Sequence, residues 1–520
     1  MPKSRSVLLL LLLTILLSPV ALSQAGVSVN APVGHWSYGA LDKLISMGLV
    51  QGAMLTTKPI TRLEMARLIK EARDKFEGLQ DGTHFEGQAI ATAVLQRLEA
   101  EFGPEIAYYE GDLGPPTYLK PIEDTYVTIY HASEDFSFEN DKGRKYSDGL
   151  SIKAGLSSHG VFSRHFAFYL NPEYRYSSNE FEGDRNRLAL QEGYAKVECY
   201  NIEVEAGRDS LWWGPGRHGS LILTDNAKPF DLIKISNPKP VVLPWIFKYL
   251  GLFKFVGFWT KLEGHRYISE PEFMGMRLDI KPFPFLNLGA SRTILLGGKG
   301  PRTPKGVTDL SLNDWAKILS GRNISGALDT DQIGGFDVLL HFESMDRFYN
   351  IIRTLDIWGE LYGEDEAANL PSHNGYVVGL RLGDLFLNGK TNLIMEHADN
   401  VIGGLPNLWY SHHVYCDGYT YYGRIMGHEM GTDARETFIS LEHYLTPSVV
   451  LQLAYDNQKR KAQSDIPETR DRYDAGVSWW RWNNCRVGGG YRYESIDNMN
   501  GIREDDMNNH IFWISFNYSL

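Results

Sequence analysis

Beyond Asp124 the apolar positions of this chain recur every second residue, the period of a β-strand whose two faces meet different surroundings. At the C-terminus Phe512, Ile514, Phe516, Tyr518 and Leu520 point one way, while Trp513, Ser515, Asn517 and Ser519 point the other. Tyr473, Ala475, Val477 and Trp479 repeat the device, as do Val487, Gly489, Tyr491 and Tyr493. Val449, Leu451, Leu453 and Tyr455 follow a Thr446-Pro447-Ser448 turn from a strand at Thr437 to His443. Leu188 to Cys199 runs into a turn at Asn201 and returns through Ile202, Val204 and Ala206. Before Asp124 the period is 3.6 instead. Trp36, Leu41, Leu44, Ile45 and Leu49 predict one helix, Met65, Ala66, Leu68 and Ile69 a second capped by Thr61, and Ile90, Val94, Leu95, Leu98 and Phe102 a third over 88–102.

Soluble β-sandwiches also alternate, but their strands are short and their outer face is polar. Here the segments are about ten residues long, with one face apolar and aromatic and the other carrying Arg, Glu, Asp, Ser and Gly, as in a lipid-facing wall around a polar lumen. At roughly twenty to twenty-five residues per strand and connection, residues 124–520 predict a closed antiparallel transmembrane β-barrel of roughly sixteen to twenty strands. Such a lumen is wide enough for water unless loops fill it, and two long connections, Lys228 to Phe258 and Pro301 to Gly334, are capable of that.

Lys3, Arg5, the apolar run Val7 to Leu17 and the small residues after Ser18-Pro19 read as a secretory signal peptide over residues 1–25. The net charge of −12 argues against a nucleic-acid partner. Cys199, Cys416 and Cys485 lack CxxC spacing and suggest neither zinc nor a disulfide framework, although any one pairing stays open. The spacing of His412, His413, His428 and Glu429 fits no metal signature, so no metal or other cofactor is expected. No Gly-x-Ser-x-Gly elbow or isolated acid pair suggests an enzyme.

Two stretches are unlike barrel wall. Glu205 to Phe230 reads EAGRDSLWWGPGRHGSLILTDNAKPF, and Trp409 to Ala434 reads WYSHHVYCDGYTYYGRIMGHEMGTDA. Flat aromatic faces beside Arg, Asp and His suit a sugar ring, whose apolar face stacks while its hydroxyls hydrogen-bond. The candidate glycan-binding residues are therefore Arg208, Asp209, Trp212, Trp213 and Arg217 in the first stretch, and Tyr419, Tyr421, Arg424, His428 and Asp433 in the second. Two bland readings compete: the tryptophans as an interface girdle, and Arg208, Asp209, Arg217 and Asp225 as a salt-bridge network bracing the lumen.

Two resemblances add to this. His35-Trp36, Ala40-Leu41, Gly48-Leu49-Val50 and Thr61-Arg62-Leu63-Glu64-Met65-Ala66 resemble an S-layer homology module, which implies cell-wall polymer binding through Trp36 and Arg62. The segment between its helices is shortened to about Ala53–Pro59. GRDSLWWGPGRHGSLILTDNA, the SNPKP and LPW pieces and GYTYYGRIMGHEMGTDA resemble the hallmark segments of the Wzi-type capsule assembly proteins. That resemblance implies an outer-membrane lectin barrel of about 18 strands that binds capsular or related surface polysaccharide and helps anchor it. The expected organisation is a signal peptide (1–25), a helical periplasmic module (26–110) that contacts peptidoglycan or another cell-wall polymer, a linker (111–123) and a monomeric barrel (124–520) in outer-membrane lipid. The rival expectation is a porin-type channel tethered to the cell wall by the same module.

Overall fold

The computed structural model describes residues 26–80, 87–111, 117–181, 184–300, 304–319, 328–367 and 370–520. The signal peptide expected over 1–25 lies outside them.

Eighteen antiparallel strands close into one barrel. They are β1 (Asp124–Ala132), β2 (Gly149–Leu156), β3 (Phe166–Phe181), β4 (Asp184–Cys199), β5 (Ile202–Asp209), β6 (Phe230–Ser236), β7 (Leu252–Lys261), β8 (Glu272–Phe283) and β9 (Leu286–Leu296). The second half comprises β10 (Asp331–Phe342), β11 (Thr354–Ala367), β12 (Leu370–Leu385), β13 (Thr391–Asp399), β14 (Arg435–Thr446), β15 (Val449–Arg460), β16 (Glu468–Trp482), β17 (Cys485–Asp497) and β18 (Met507–Ser519). Closure is made by β18 on β1, with Ile514 opposite Ile129. Every strand thereby finds two neighbours, which removes the unpaired edges that lipid cannot hydrate.

The alternation resolves as the period of two demands. Phe512, Ile514 and Phe516 are 51%, 64% and 46% exposed on the outer surface, where an apolar band suits lipid. Inward positions carry charge: Lys196, Glu203, Glu205, Asp209 and Lys234 are all buried within the lumen and joined there, Lys234 Nζ lying 2.8 Å from Glu205 and Lys196 Nζ 3.0 Å from Glu203.

Most connections at the end where the chain enters and leaves the barrel are tight, as at 200–201, 284–285, 447–448 and 483–484, whereas 133–148, 210–229 and 400–434 at the other end are long. Three helices cover the tight-turn end: α1 (Trp36–Ser46), α2 (Arg62–Gln80) and α3 (Gln88–Glu110), the last continuing past the expected stop at 102 through Pro104. Leu41, Leu44, Leu68, Ile69, Val94 and Leu98 form their shared core, which extends to Tyr444 and Val450 on the barrel wall. Thr354 Oγ1 donates to the Ser46 carbonyl at 3.0 Å, docking the end of α1 on β11.

Two expectations are corrected. The linker 111–123 is not all connector, because Tyr118–Lys120 pairs as a short strand with His159–Val161. Among the described residues, the two connections singled out do not fill the lumen. Lys228–Phe258 is largely wall, supplying β6 and part of β7. Within 301–334 the helix α4 (Leu312–Leu319) packs Ile318 on Ile294 and Leu296, and Ile294 shares the outward face of β9 with Leu288, so α4 lies outside the barrel. The lumen is instead entered by 210–229 from the long-loop end and by the N-terminal segment 26–61 from the other.

Candidate functional site

Within the lumen the two entering segments meet. Thr57 and Lys58 pair as a two-stranded ladder with Trp213 and Trp212. The shortened segment Ala53–Pro59 thus supplies the strand that docks the tryptophan pair. Arg277 on β8 donates from Nε to Thr57 Oγ1 at 2.6 Å, and Asp279 accepts from Thr56 Oγ1 at 3.0 Å, which fixes this ladder to the wall.

The Gly-Pro-Gly turn owes its composition to two wall carboxylates. Glu360 on β11 accepts from the backbone N–H groups of Gly216 (3.1 Å) and Leu221 (3.0 Å). Glu396 on β13 accepts from those of Arg217 (2.7 Å), His218 (3.1 Å) and Gly219 (3.0 Å), and from Trp358 Nε1 at 2.9 Å. Packing this close leaves no room for side chains at the turn: a Cβ on Gly216 would meet the Gly219 carbonyl oxygen at 1.8 Å, and one on Gly219 the His428 ring at 2.4 Å. The glycines let a backbone nest wrap two carboxylates; they are not spaced for a ligand.

The candidate residues then separate. Trp213 is fully buried, edge-on to Phe258 at 5.4 Å, and presents no ring face, contrary to the expected paired stacking platform. Trp212 is 5% exposed and takes the Lys58 ammonium over its ring at 5.4 Å. Arg208 holds Asp231 on β6 through two bonds of 2.8 and 2.7 Å. Asp209 accepts from Asn30 Nδ2 at 2.8 Å beside Lys234, and Arg217 donates to Asp42 of α1 at 2.6 Å. Three of the five thus brace the barrel in ion pairs.

In the second stretch, Tyr419 is buried, its hydroxyl donating to the Ile222 carbonyl at 2.8 Å. Asp433 accepts from Gln463 at 2.7 and 3.1 Å. His428 is 1% exposed and held below its usual range, at about 4, by burial. Its neighbour His218 stacks on Phe438 at 3.9 Å. Burial disfavours the charge there, but Glu436 at 2.7 Å and nearby Asp456 raise the imidazole well above its usual range. His218, Glu429, Glu436 and Asp456 offer ligand atoms within 4.8 Å of one another. Arg472 Nη1 already lies 2.6 Å from Glu429 and 2.8 Å from Asp456, so the group closes as an ion-pair network.

Trp36 and Arg62 are also corrected. Arg62 is buried, bonded to Glu105 through Nε (2.8 Å) and to Glu101 and Glu123 through Nη1 (2.7 Å each), with Phe102 against its guanidinium. It clamps α2 to α3 and to the start of β1. Trp36 faces into the barrel, edge-on to Trp480 at 4.7 Å.

Tyr421 and Arg424 lead elsewhere, to a bay of about 430 Å³ between the long loops. Tyr421 stacks on Phe230 at 5.2 Å and meets Tyr422 edge-on at 4.8 Å. Arg424 donates to Ser137 Oγ at 2.7 Å and to Asn226 Oδ1 at 2.9 Å, both neutral partners. Lys228 sits over the Tyr422 ring at 4.3 Å; burial, then the guanidinium groups of Arg208 and Arg187, push its ammonium below the ordinary range. Lys142, Arg175 and Arg187 add to the rim, and Glu263 is the one carboxylate among the lining residues. Sequence reasoning missed Lys142, Arg175, Arg187 and Lys228, because they come from four separate connections and strands.

A family model described as capsule assembly protein Wzi matches residues 122–511. An uncharacterized 55.8 kDa protein of the cps region of Klebsiella pneumoniae is 27% identical over 331 residues, 63% of this chain. The match spans 56% of that relative's length. The solved structure of Wzi, described as a carbohydrate-binding β-barrel of the outer membrane involved in group 1 capsule assembly in Escherichia coli, superposes with a TM-score of 0.70 at 20% identity. The superposition covers 95% of this chain and all of that one.

Proposed function

The chain belongs to the Wzi capsule assembly family, and from that premise we propose that it is an outer-membrane barrel that holds capsular polysaccharide at the cell surface. The observation that carries the reading is the bay between the long loops. Tyr422, 49% exposed, supplies a ring on which a sugar stacks, and Arg424, Lys228 and Arg187 supply donors for hydroxyl and carboxylate oxygens. Long loops mark the extracellular end of such barrels and tight turns the periplasmic end, which puts the bay outside the cell and α1–α3 in the periplasm. The module acts as a plug there, and a single chain closes the wall as a monomer. A glycoside hydrolase needs a pair of carboxylates, and among the described residues lining this bay Glu263 is the one carboxylate, which supports a binding role.

The test is binding of the purified full chain to capsular polysaccharide of the source strain, measured against Lys228→Ala/Arg424→Ala. A loss of tenfold or more in the double variant is expected. Unchanged affinity in a variant that still migrates as a folded barrel would remove the bay from the function.

A further inference from the structure

Below the Gly-Pro-Gly turn, between the plug and the wall strands β14–β17, lies a second chamber of about 380 Å³, within the range of roughly 300–1,000 Å³ typical of small-molecule sites. It shares no lining residue with the outer bay. Three tryptophans from three separate parts of the chain converge on it: Trp36 from α1, Trp212 from the inner ladder and Trp480 from β16.

The cations around it are unusual. Arg97 of α3 lies over the Trp480 ring at 5.0 Å, Arg486 of β17 over the same ring at 5.7 Å, and Lys58 over Trp212 at 5.4 Å. Among the described residues none of the three forms an ion pair. Arg97 is bonded to the Pro447 carbonyl, while no protein acceptor within the chamber takes the Arg486 donors. Burial, then the neighbouring Arg217 guanidinium, push the Lys58 ammonium down to about 8 against the opposing charges of Asp42 and Asp225. Two lining residues also bury a polar atom that has no partner: Trp212 at Nε1 and Arg217 at Nε.

Charged groups withdrawn from water are ordinarily paired, and the ring faces compensate only part of a guanidinium's charge. The opposing acids in the lining are Glu442, already bonded to Asn392 at 3.1 Å, and Asp225, whose carboxyl burial pushes up to about 7. Neither is bonded to Lys58, Arg97 or Arg486.

We propose that this chamber is a second carbohydrate site, for a single anionic sugar ring, whose carboxylate is taken by Arg486 and Arg97 while its apolar face lies against Trp36. A neutral sugar would leave Arg97 and Arg486 without an anion, and a small inorganic anion would leave Trp36 uncovered. The site is independent of the outer bay and stands whether or not that bay holds polysaccharide.

The experiment is calorimetric titration of the full-length protein in detergent with sodium glucuronate, glucose and sodium sulfate. Saturable heat with glucuronate, at least tenfold weaker response to glucose and to sulfate, and at least tenfold weakening by Arg486→Gln are expected. Gly403→Ala, where an added Cβ meets nothing within 4 Å and which lines neither cavity, should leave the titration unchanged. If Arg486→Gln loses the compact barrel on unheated gels, Arg97→Gln carries the same expectation. Absence of saturable heat, equal affinity for sulfate (an adventitious anion only), or an unchanged titration in a folded Arg486→Gln or Arg97→Gln variant would each overturn the proposal.

Discussion

Arg217 Nη1 donates to Asp42 Oδ2 at 2.6 Å across 175 residues of sequence, joining the turn that descends from the long-loop end to the helix that closes the other. Burial alone would raise the Asp42 carboxyl; Arg217 and Arg381 together bring it below its usual range. The side chains are 13% and 23% exposed, so the pair is screened only in part. Arg217→Ala should cost about 1.5–3 kcal/mol, the range for a hydrogen bond to a charged group, with Arg381 still 3.3 Å from Asp42 to limit the loss. Thermal unfolding in detergent measures this, and a shift no larger than that of a surface Arg→Ala control would refute it.

The same latch bears on passage. With 26–61 and 210–229 inside the lumen, the full chain should give no large, stable conductance steps in planar bilayers. Arg217→Ala should give more frequent brief openings. Steady porin-sized steps from the unaltered protein would reinstate the channel reading.

His218 and His428 predict opposite pH limbs for the inner loops. A histidine raised in the folded state adds stability that is full below the unfolded value near 6.5 and is lost as pH climbs through the folded value. That describes His218. His428, lowered to about 4, costs stability as pH falls from about 6.5 toward 4, because the unfolded chain takes up the proton first. Stability should therefore peak near pH 6.5. His218→Gln should flatten the alkaline limb and His428→Gln the acid limb, read from melting temperature against pH.

Gly216→Ala places a Cβ 1.8 Å from the Gly219 carbonyl oxygen, backbone that cannot swing aside. Overpacking of this kind costs about 1–3 kcal/mol. Gly403→Ala meets nothing within 4 Å and serves as the silent control. Equal melting temperatures for the two variants would contradict the nest described around Glu360 and Glu396.

Trp213→Ala should destabilise by about 3–5 kcal/mol, the range for deleting a buried aromatic, without a specific effect on glycan affinity in molecules that remain folded. Loss of affinity at full stability would return Trp213 to the binding surface.

Much of the wall was legible in the sequence because a barrel strand's period of two is a local property. Leu188–Cys199, its turn at Asn201 and the return through Ala206 are β4 and β5 as read, and the Thr446-Pro447-Ser448 turn joins β14 to β15. The helical pattern before Asp124 was equally local. The WWGPGRHG stretch was legible as something other than wall, yet its chemistry pointed equally to sugar and to bracing. Tertiary structure assigned Arg208, Asp209 and Arg217 to ion pairs and the glycines to two carboxylates.

The sequence by itself therefore determined the strands, the helices and the places where the barrel pattern breaks, since each follows from spacing between near neighbours. Which segments enter the lumen and which residues share a cavity was decided only by closure of the sheet. Closure brings Lys58 to Trp212 and Arg97 to Trp480, pairs 154 and 383 residues apart whose contact no periodicity encodes.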